Sequence, residues 1–234
     1  MLDLEQYRVG DLPTLYYVPD AITPAEEQSL LTHITASKQQ WKTVSGRRLQ
    51  NLGGIVHKKG LIPAPLPSWL QPLLGRLAQD TGAYGEGKQP NHVLINAYQP
   101  GEGILPHEDG PLYHPVVVIL SLQNPAVVRF ARKRRDEQQS DAAAAAEGAE
   151  SHGRAGQLVA SVACMPRSLL IFKDEAYSGC LHGILEAAVE DIDASVVNAQ
   201  QAGLQVGQAL PRGGERISLT VRRVLHTYSL GLRL

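Results

Sequence analysis

Cysteine is scarce in this chain of 234 residues. Cys164 and Cys180 are the only two, and neither stands in a Cys-x-x-Cys pattern. That argues against a disulfide framework or a thiolate zinc site. Cys164, inside VACMP, reads instead as a small buried hydrophobe. A charge of one sign is lacking as well. Lys plus Arg number 22 against 23 for Asp plus Glu, a formal net charge of -1. No overall field draws the chain to nucleic acid or acidic lipid, so any such binding must rest on a local patch. Long apolar runs are missing too. Stretches such as Val116 to Leu120 are too short for a bilayer, and MLDLEQYRVG lacks the basic and apolar regions of a secretory signal. The expectation is a soluble, monomeric intracellular protein with no membrane partner.

The composition itself is that of an ordinary globular protein, with 43% hydrophobic and 19% charged residues. Residues 1–234 can bury a sizeable core as one domain. TLYYVPD reads as a short strand. Thr23 can cap a helix that starts with Pro24 and runs to about Ala36, burying Leu30, Leu31 and Ile34. From Trp41 to Gly60, paired glycines and the basic residues Arg47, Arg48, Lys58 and Lys59 suit an exposed loop or hairpin. A second helix is expected from Pro67 to Gln79. HVLINAY, VVVILSL, AVVRFAR, SLLIF and RISLTVRRV then read as strands by their β-branched content. Many short strands without regularly interposed helices predict a mainly β (α+β) sandwich, barrel or jelly roll. Two stretches, 132–156 and 185–215, read as insertions between core strands, the first disordered.

The chemistry centres on Pro106-His107-Glu108-Asp109-Gly110. In an extended strand, positions i and i+2 point to the same side, so His107 and Asp109 could converge on one cation while Glu108 points away. A facial triad of two histidines and one carboxylate holds non-haem Fe(II) and leaves positions open. The third ligand is best supplied by His182. It follows the SLLIF strand and a turn-like DEAYSG, and Gly183 beside it would permit close approach of a bound group. His33, His57 and His152 read as core or solvated residues. RISLTVRR alternates strictly, which places Arg216, Ser218, Thr220 and Arg222 on one face. With Asn96 and Tyr98, which share a face of HVLINAY, these arginines could hold a small dicarboxylate.

In this order, Asn96-x-Tyr98, His107-x-Asp109, His182 and Arg216-x-Ser218-x-x-x-Arg222 resemble the AlkB-type Fe(II)- and 2-oxoglutarate-dependent dioxygenases. The likeness spans Asn91 to Val224. SGRRLQNLGG, NHVLINAYQPGEGILPHEDGPLYHP and RISLTVRR are similar to one subgroup, the sixth AlkB homologue of animals and plants. The resemblance implies a double-stranded β-helix (jelly roll) with N-terminal helices and flexible lid loops over the iron. It implies Fe(II) on His107, Asp109 and His182, and 2-oxoglutarate with its distal carboxylate on Arg216, helped by Tyr98. Asn96 and Arg222 would lie near its other end, and Ser218 stands where many members have Asn. The implied reaction uses O2 and 2-oxoglutarate to hydroxylate a C–H bond, yielding succinate. An N-methyl group so oxidised leaves as formaldehyde.

Members active in base repair place acidic residues soon after the His-x-Asp pair. Here Gly110-Pro111-Leu112-Tyr113 follows, which points away from base repair of that kind. The expected substrate is a methylated nucleic acid, RNA rather than duplex DNA. Arg47 and Arg48 are expected to contact phosphate, Tyr113 and His114 to meet a base, and the cluster Arg132-Lys133-Arg134-Arg135 to offer a further basic patch or a nuclear-import signal. Two other readings are an inactive AlkB-like module that binds modified RNA and a protein hydroxylase. The subgroup resemblance implies residence in cytoplasm and nucleus.

Overall fold

In the computed structural model, residues 2–37, 41–44, 46–134 and 155–228 are described. Seven strands form one sheet in the order β1 (Leu15–Val18), β11 (Leu169–Lys173), β8 (Val116–Leu122), β15 (Arg216–Arg222), β6 (His92–Tyr98), β3 (Arg47–Leu52) and β2 (Lys42–Val44). Four strands form a second sheet in the order β10 (Ala155–Cys164), β9 (Ala126–Lys133), β12 (Cys180–Ile184) and β7 (Ile104–His107). Every pairing in both sheets is antiparallel. This is the expected jelly roll. Among the described residues, no helix is long and apolar enough to cross a membrane.

The larger sheet is covered on both faces, which is why β8 is apolar almost throughout rather than alternating. On its outer face Leu30 and Ile34 of helix α1 (Pro24–Ala36) and Leu73 and Leu77 of helix α2 (Gln71–Thr81) pack on Val93, Ile95, Leu120 and Leu219. Each such side chain, fully buried, contributes about 1.5–3 kcal/mol. Thr23 and Glu26 close a capping box at the start of α1, with Pro24 in its first turn. Gly82, at φ 58, ends α2 in the left-handed conformation that glycine takes without strain. On the inner face Tyr98, Val117, Ile119, Val128, Phe130 and Phe172 fill the space between the sheets. Cys164 is fully buried among them, as its sequence context suggested.

At four places the structure corrects or sharpens the expectation. Of the exposed loop or hairpin expected there, the 41–60 stretch is the hairpin, and it is partly buried. It forms the β2–β3 hairpin, whose second strand pairs with β6 and buries Leu49, Gln50 and Leu52, followed by a ribbon of β4 (Gly54–His57) and β5 (Gly60–Pro63). The second helix starts later than Pro67, at Gln71. The DEAYSG turn contains a one-turn helix, α3 (Asp174–Ser178). The 185–215 stretch is an ordered arm built on β13 (Val189–Asp191) and β14 (Ala209–Pro211). Its Ile192, Val196, Leu204 and Leu210 pack on Val127 and Ala163. In 132–156, β9 extends to Lys133 and β10 begins at Ala155. The disorder expected there, Arg135 and His152 lie outside the described residues.

Candidate active site

Strands β7 and β12 bring His107 directly opposite His182, with ring centroids 4.4 Å apart. The next pair is Ile104 opposite Ile184. Between these pairs, Leu105 and Pro106 of β7 face Gly183 alone, so β7 carries a β-bulge. Pro106 suits the place because it has no N–H to leave unpaired. A Cβ on Gly183 would lie 2.8 Å from the Ile104 carbonyl oxygen and 2.9 Å from the Pro106 nitrogen. The glycine therefore admits the backbone of β7, rather than only a bound group as its sequence position suggested. The extra residue also turns His107 to the same side as Ile104, three positions before it, and both line the inner cavity.

Asp109 lies just beyond β7, its side chain 4% exposed. Its Oδ1 accepts a hydrogen bond from Arg222, while Oδ2 stands 3.8 Å from His182 Nε2 with no hydrogen-bond partner. His107 Nδ1 lies 2.9 Å from the Leu105 carbonyl. That contact assigns the proton to Nδ1 and leaves Nε2 as a lone-pair donor. Burial, with the neighbouring His107 ring, lowers the His182 pKa to about 3, and burial also lowers that of His107. Burial alone would raise the Asp109 pKa, yet the Arg222 guanidinium holds it below the ordinary carboxylate range. The result is two neutral imidazoles beside an ionised carboxylate, a donor set suited to a divalent iron centre. Among the described residues, no three His, Cys, Asp or Glu donors close on one point as a finished cage. Asp109 is turned toward Arg222, which leaves its Oδ2 without a partner.

The other end of the cavity is built by β15 and β6. Their register sets Arg216 opposite Tyr98, Ser218 opposite Asn96, Thr220 opposite Leu94 and Arg222 opposite His92. Arg216 is 2% exposed, and its Nη2 donates to Ser121 Oγ at 2.8 Å. Its Nε, like that of Arg222, is buried without a partner. Its guanidinium lies 5.8 Å from the centre of the Tyr98 ring. Unpaired, buried guanidinium nitrogens are costly unless an anion completes them, so this end fits a carboxylate. Asn96 Nδ2 donates to Thr220 Oγ1 at 3.4 Å, and Asn96 Oδ1 accepts from Arg47 Nε at 3.1 Å. Leu94, Ile104, Ile119, Val128 and Ile184 complete the wall of a cavity of about 190 Å³.

The iron and cosubstrate residues named from sequence thus share one cavity. Of the four substrate residues named from sequence, one joins them. Arg47 lines the cavity. Arg48, one position on, falls on the other face of β3, where it pairs with Glu215 and lies 4.9 Å over the Trp41 ring. Tyr113 is buried beneath Arg222, 4.2 Å from its guanidinium, with the His92 ring 5.9 Å away, so it offers no free face to a base. His114 is half-buried outside the cavity, its backbone N–H donating to the Arg223 carbonyl at 2.8 Å. In the basic cluster, Arg132 pairs with Glu175 and Lys133 with Glu108. Ser121, a side-chain partner of Arg216, was not singled out from sequence. Its only signal is a hydroxyl in the otherwise apolar VVVILSL.

A jelly roll that encloses two histidines and a carboxylate at one end of a cavity and a buried arginine at the other has the frame of an iron- and keto-acid-dependent oxygenase. Residues 40–222 match the 2OG-Fe(II) oxygenase superfamily. Over 226 residues, 96% of this chain and 92% of the relative, the sequence is 41% identical to "Probable RNA/DNA demethylase ALKBH6" of Danio rerio. It is 27% identical over 227 residues, 92% of this chain and 59% of the relative, to "Alkylated DNA repair protein ALKBH8 homolog" of Arabidopsis thaliana. Among solved structures, OsALKBH1 aligns over 90% of this chain and 98% of its own with a TM-score of 0.55 at 14% identity, a likeness of fold. The chain belongs to the AlkB-type 2OG-Fe(II) oxygenases. It is accordingly a dioxygenase whose cofactors are Fe(II), 2-oxoglutarate and O2.

Proposed function

We propose that this dioxygenase oxidises a methylated nucleic acid, RNA in preference to duplex DNA, with His107, Asp109 and His182 as the iron ligands. The observation that carries the assignment is the cross-strand histidine pair, with Asp109 beside it, in the cavity that also holds the unsatisfied guanidinium of Arg216. When bound, iron with 2-oxoglutarate and O2 supplies hydroxylation of a C–H bond, which on an N-methyl group leads to loss of formaldehyde.

The chain's own residues supply binding and position. Arg216 binds the distal carboxylate of the keto acid, and the adjacent Tyr98 ring helps to fix that guanidinium. Asn96 and Ser218, directly opposed across β6 and β15, flank the path toward the metal end. Arg222 sets the Asp109 carboxylate, and its stacking on Tyr113 holds the guanidinium in place. His107 keeps its proton on Nδ1 through the Leu105 carbonyl. The apolar wall excludes water from the reacting group.

The printed names of the relatives, an RNA/DNA demethylase and an alkylated DNA repair protein homologue, support a nucleic-acid substrate. The enclosed cavity favours RNA over duplex DNA, because a base enters it at lower cost from a single strand than from a stacked, paired duplex. The test is succinate formation from 2-oxoglutarate under Fe(II) and O2, with and without a pool of methylated RNA. Turnover is expected to rise with the RNA and to fall to background in Asp109→Ala. Undiminished turnover in that variant would sink the ligand assignment, and turnover indifferent to RNA would sink the substrate class.

A further inference from the structure

Three arginines line the cavity, Arg47, Arg216 and Arg222. Against them stands the carboxylate of Asp109, since Glu108 at the rim is tied to Lys133. Fe(II) and the 2-oxoglutarate dianion carry equal and opposite charge, so together they leave this balance unaltered. The chain's own groups therefore keep a positive surplus next to the reacting position. Arg222 is engaged by Asp109, and Arg216 faces the cosubstrate in the reading given above, on which this inference rests. Arg47 is the remaining one. Its Nε donates to Asn96 Oδ1, and no acidic side chain among the described residues pairs with it. It comes from the start of β3, beside the β2–β3 turn, and is half-buried where Arg216 and Arg222 are buried.

We propose that Arg47 selects the substrate, and that the unit entering the cavity bears an anionic oxygen group, a carboxylate or a phosphate, rather than the positive charge of a base methylated on a ring nitrogen. A guanidinium inside a low-dielectric cavity forms a charge-assisted, often two-pronged hydrogen bond to such a group. It repels a cation by the same physics. The absence of acidic residues in Gly110-Pro111-Leu112-Tyr113, just after Asp109, leaves a cationic base without a counter-charge there.

The test is calorimetric binding to the full chain loaded with Mn(II) and 2-oxoglutarate. Three nucleosides differ on one base: 5-carboxycytidine is anionic, 5-methylcytidine neutral and 3-methylcytidine cationic at neutral pH. Cytidine and cytidine 5′-monophosphate separate a base carboxylate from a phosphate as the source of the anionic group. Roughly tenfold tighter binding of an acid-bearing ligand than of its neutral counterpart is expected, corresponding to one charge-assisted contact, with 3-methylcytidine weakest. Arg47→Gln erases that gap and Arg47→Lys retains part of it, while any loss of 2-oxoglutarate affinity in either stays well below the loss of acid-bearing ligand. A gain from the base carboxylate or from the phosphate supports the proposal and names the source. No discrimination among the ligands, or a preference for 3-methylcytidine, overturns it. So does an equal loss of 2-oxoglutarate affinity in Arg47→Gln, which would give Arg47 to the cosubstrate. Failure of the wild type to bind 2-oxoglutarate would instead remove the site assignment beneath it.

Discussion

Two buried ion clusters in this protein differ in how completely they are satisfied. In the arm, Glu190 is 1% exposed and accepts from Arg212 and from Arg129 Nη2, the latter at 3.0 Å. Arg212 also donates to the carbonyls of Glu102 and Leu185, each at 2.6 Å, so the arm is fastened to the strand ends beside the cavity. Only Arg129 Nη1 is left over there. In the cavity, by contrast, Asp109 Oδ2, Arg216 Nε and Arg222 Nε all lack partners, and both ring nitrogens of His92 lie unpaired beneath them. Burial of unpaired polar atoms opposes folding. A cluster closed on itself serves the fold, while one left open is organised for something that arrives later.

The largest effect is expected at Glu190. Glu190→Ala leaves Arg212 buried without its counter-charge and is expected to cost about 3–5 kcal/mol in urea unfolding, as for other broken buried pairs. A loss under about 1 kcal/mol would mean that the arm cluster does not hold the fold. Arg216→Lys sharpens the other side. It removes the planar fork but keeps the charge, and should weaken 2-oxoglutarate binding by roughly 10- to 100-fold while destabilising less than Glu190→Ala. Unchanged 2-oxoglutarate affinity would detach Arg216 from the cosubstrate.

The third effect is in the pH dependence of stability. Burial, aided by Arg222, lowers the His92 pKa from 6.5 to about 3. Between those values the unfolded chain binds a proton that the folded chain does not, so stability falls as pH drops through that window. The slope from this one group is at most about 1.4 kcal/mol per pH unit. His92→Gln should flatten the fall of the unfolding midpoint below pH 6.5. An identical pH profile in the variant would show that His92 does not titrate with unfolding.

The cavity face of β15 was legible because alternation alone puts Arg216, Ser218, Thr220 and Arg222 together, and the strand keeps strict period two. His107 and Asp109 were legible as a pair. Arg47 and Arg48 were read as equivalent because their stretch looked like a loop, and a residue's face is defined only once its strand is known. Tyr113 was read as an exposed stacker since nothing local shows that Arg222, more than a hundred positions later, covers it. The arm was read as a plain insertion for a similar reason. Its order rests on contacts across the fold, Glu190 with Arg212 and Arg129 and the packing of Ile192, Val196, Leu204 and Leu210 on Val127 and Ala163, which no local pattern announces.

The bulge in β7 makes the metal end a matter of counting. Odd spacing between Ile104 and His107 would ordinarily send their side chains to opposite sides of the sheet, and the single extra residue facing Gly183 cancels that odd step. Excising either Leu105 or Pro106 would remove the odd step together with the bulge, so a regular ladder would still set His107 opposite His182 and on the side of Ile104. The bulge is what lets β7 carry one residue more than the facing stretch of β12 while both histidines keep to the cavity side.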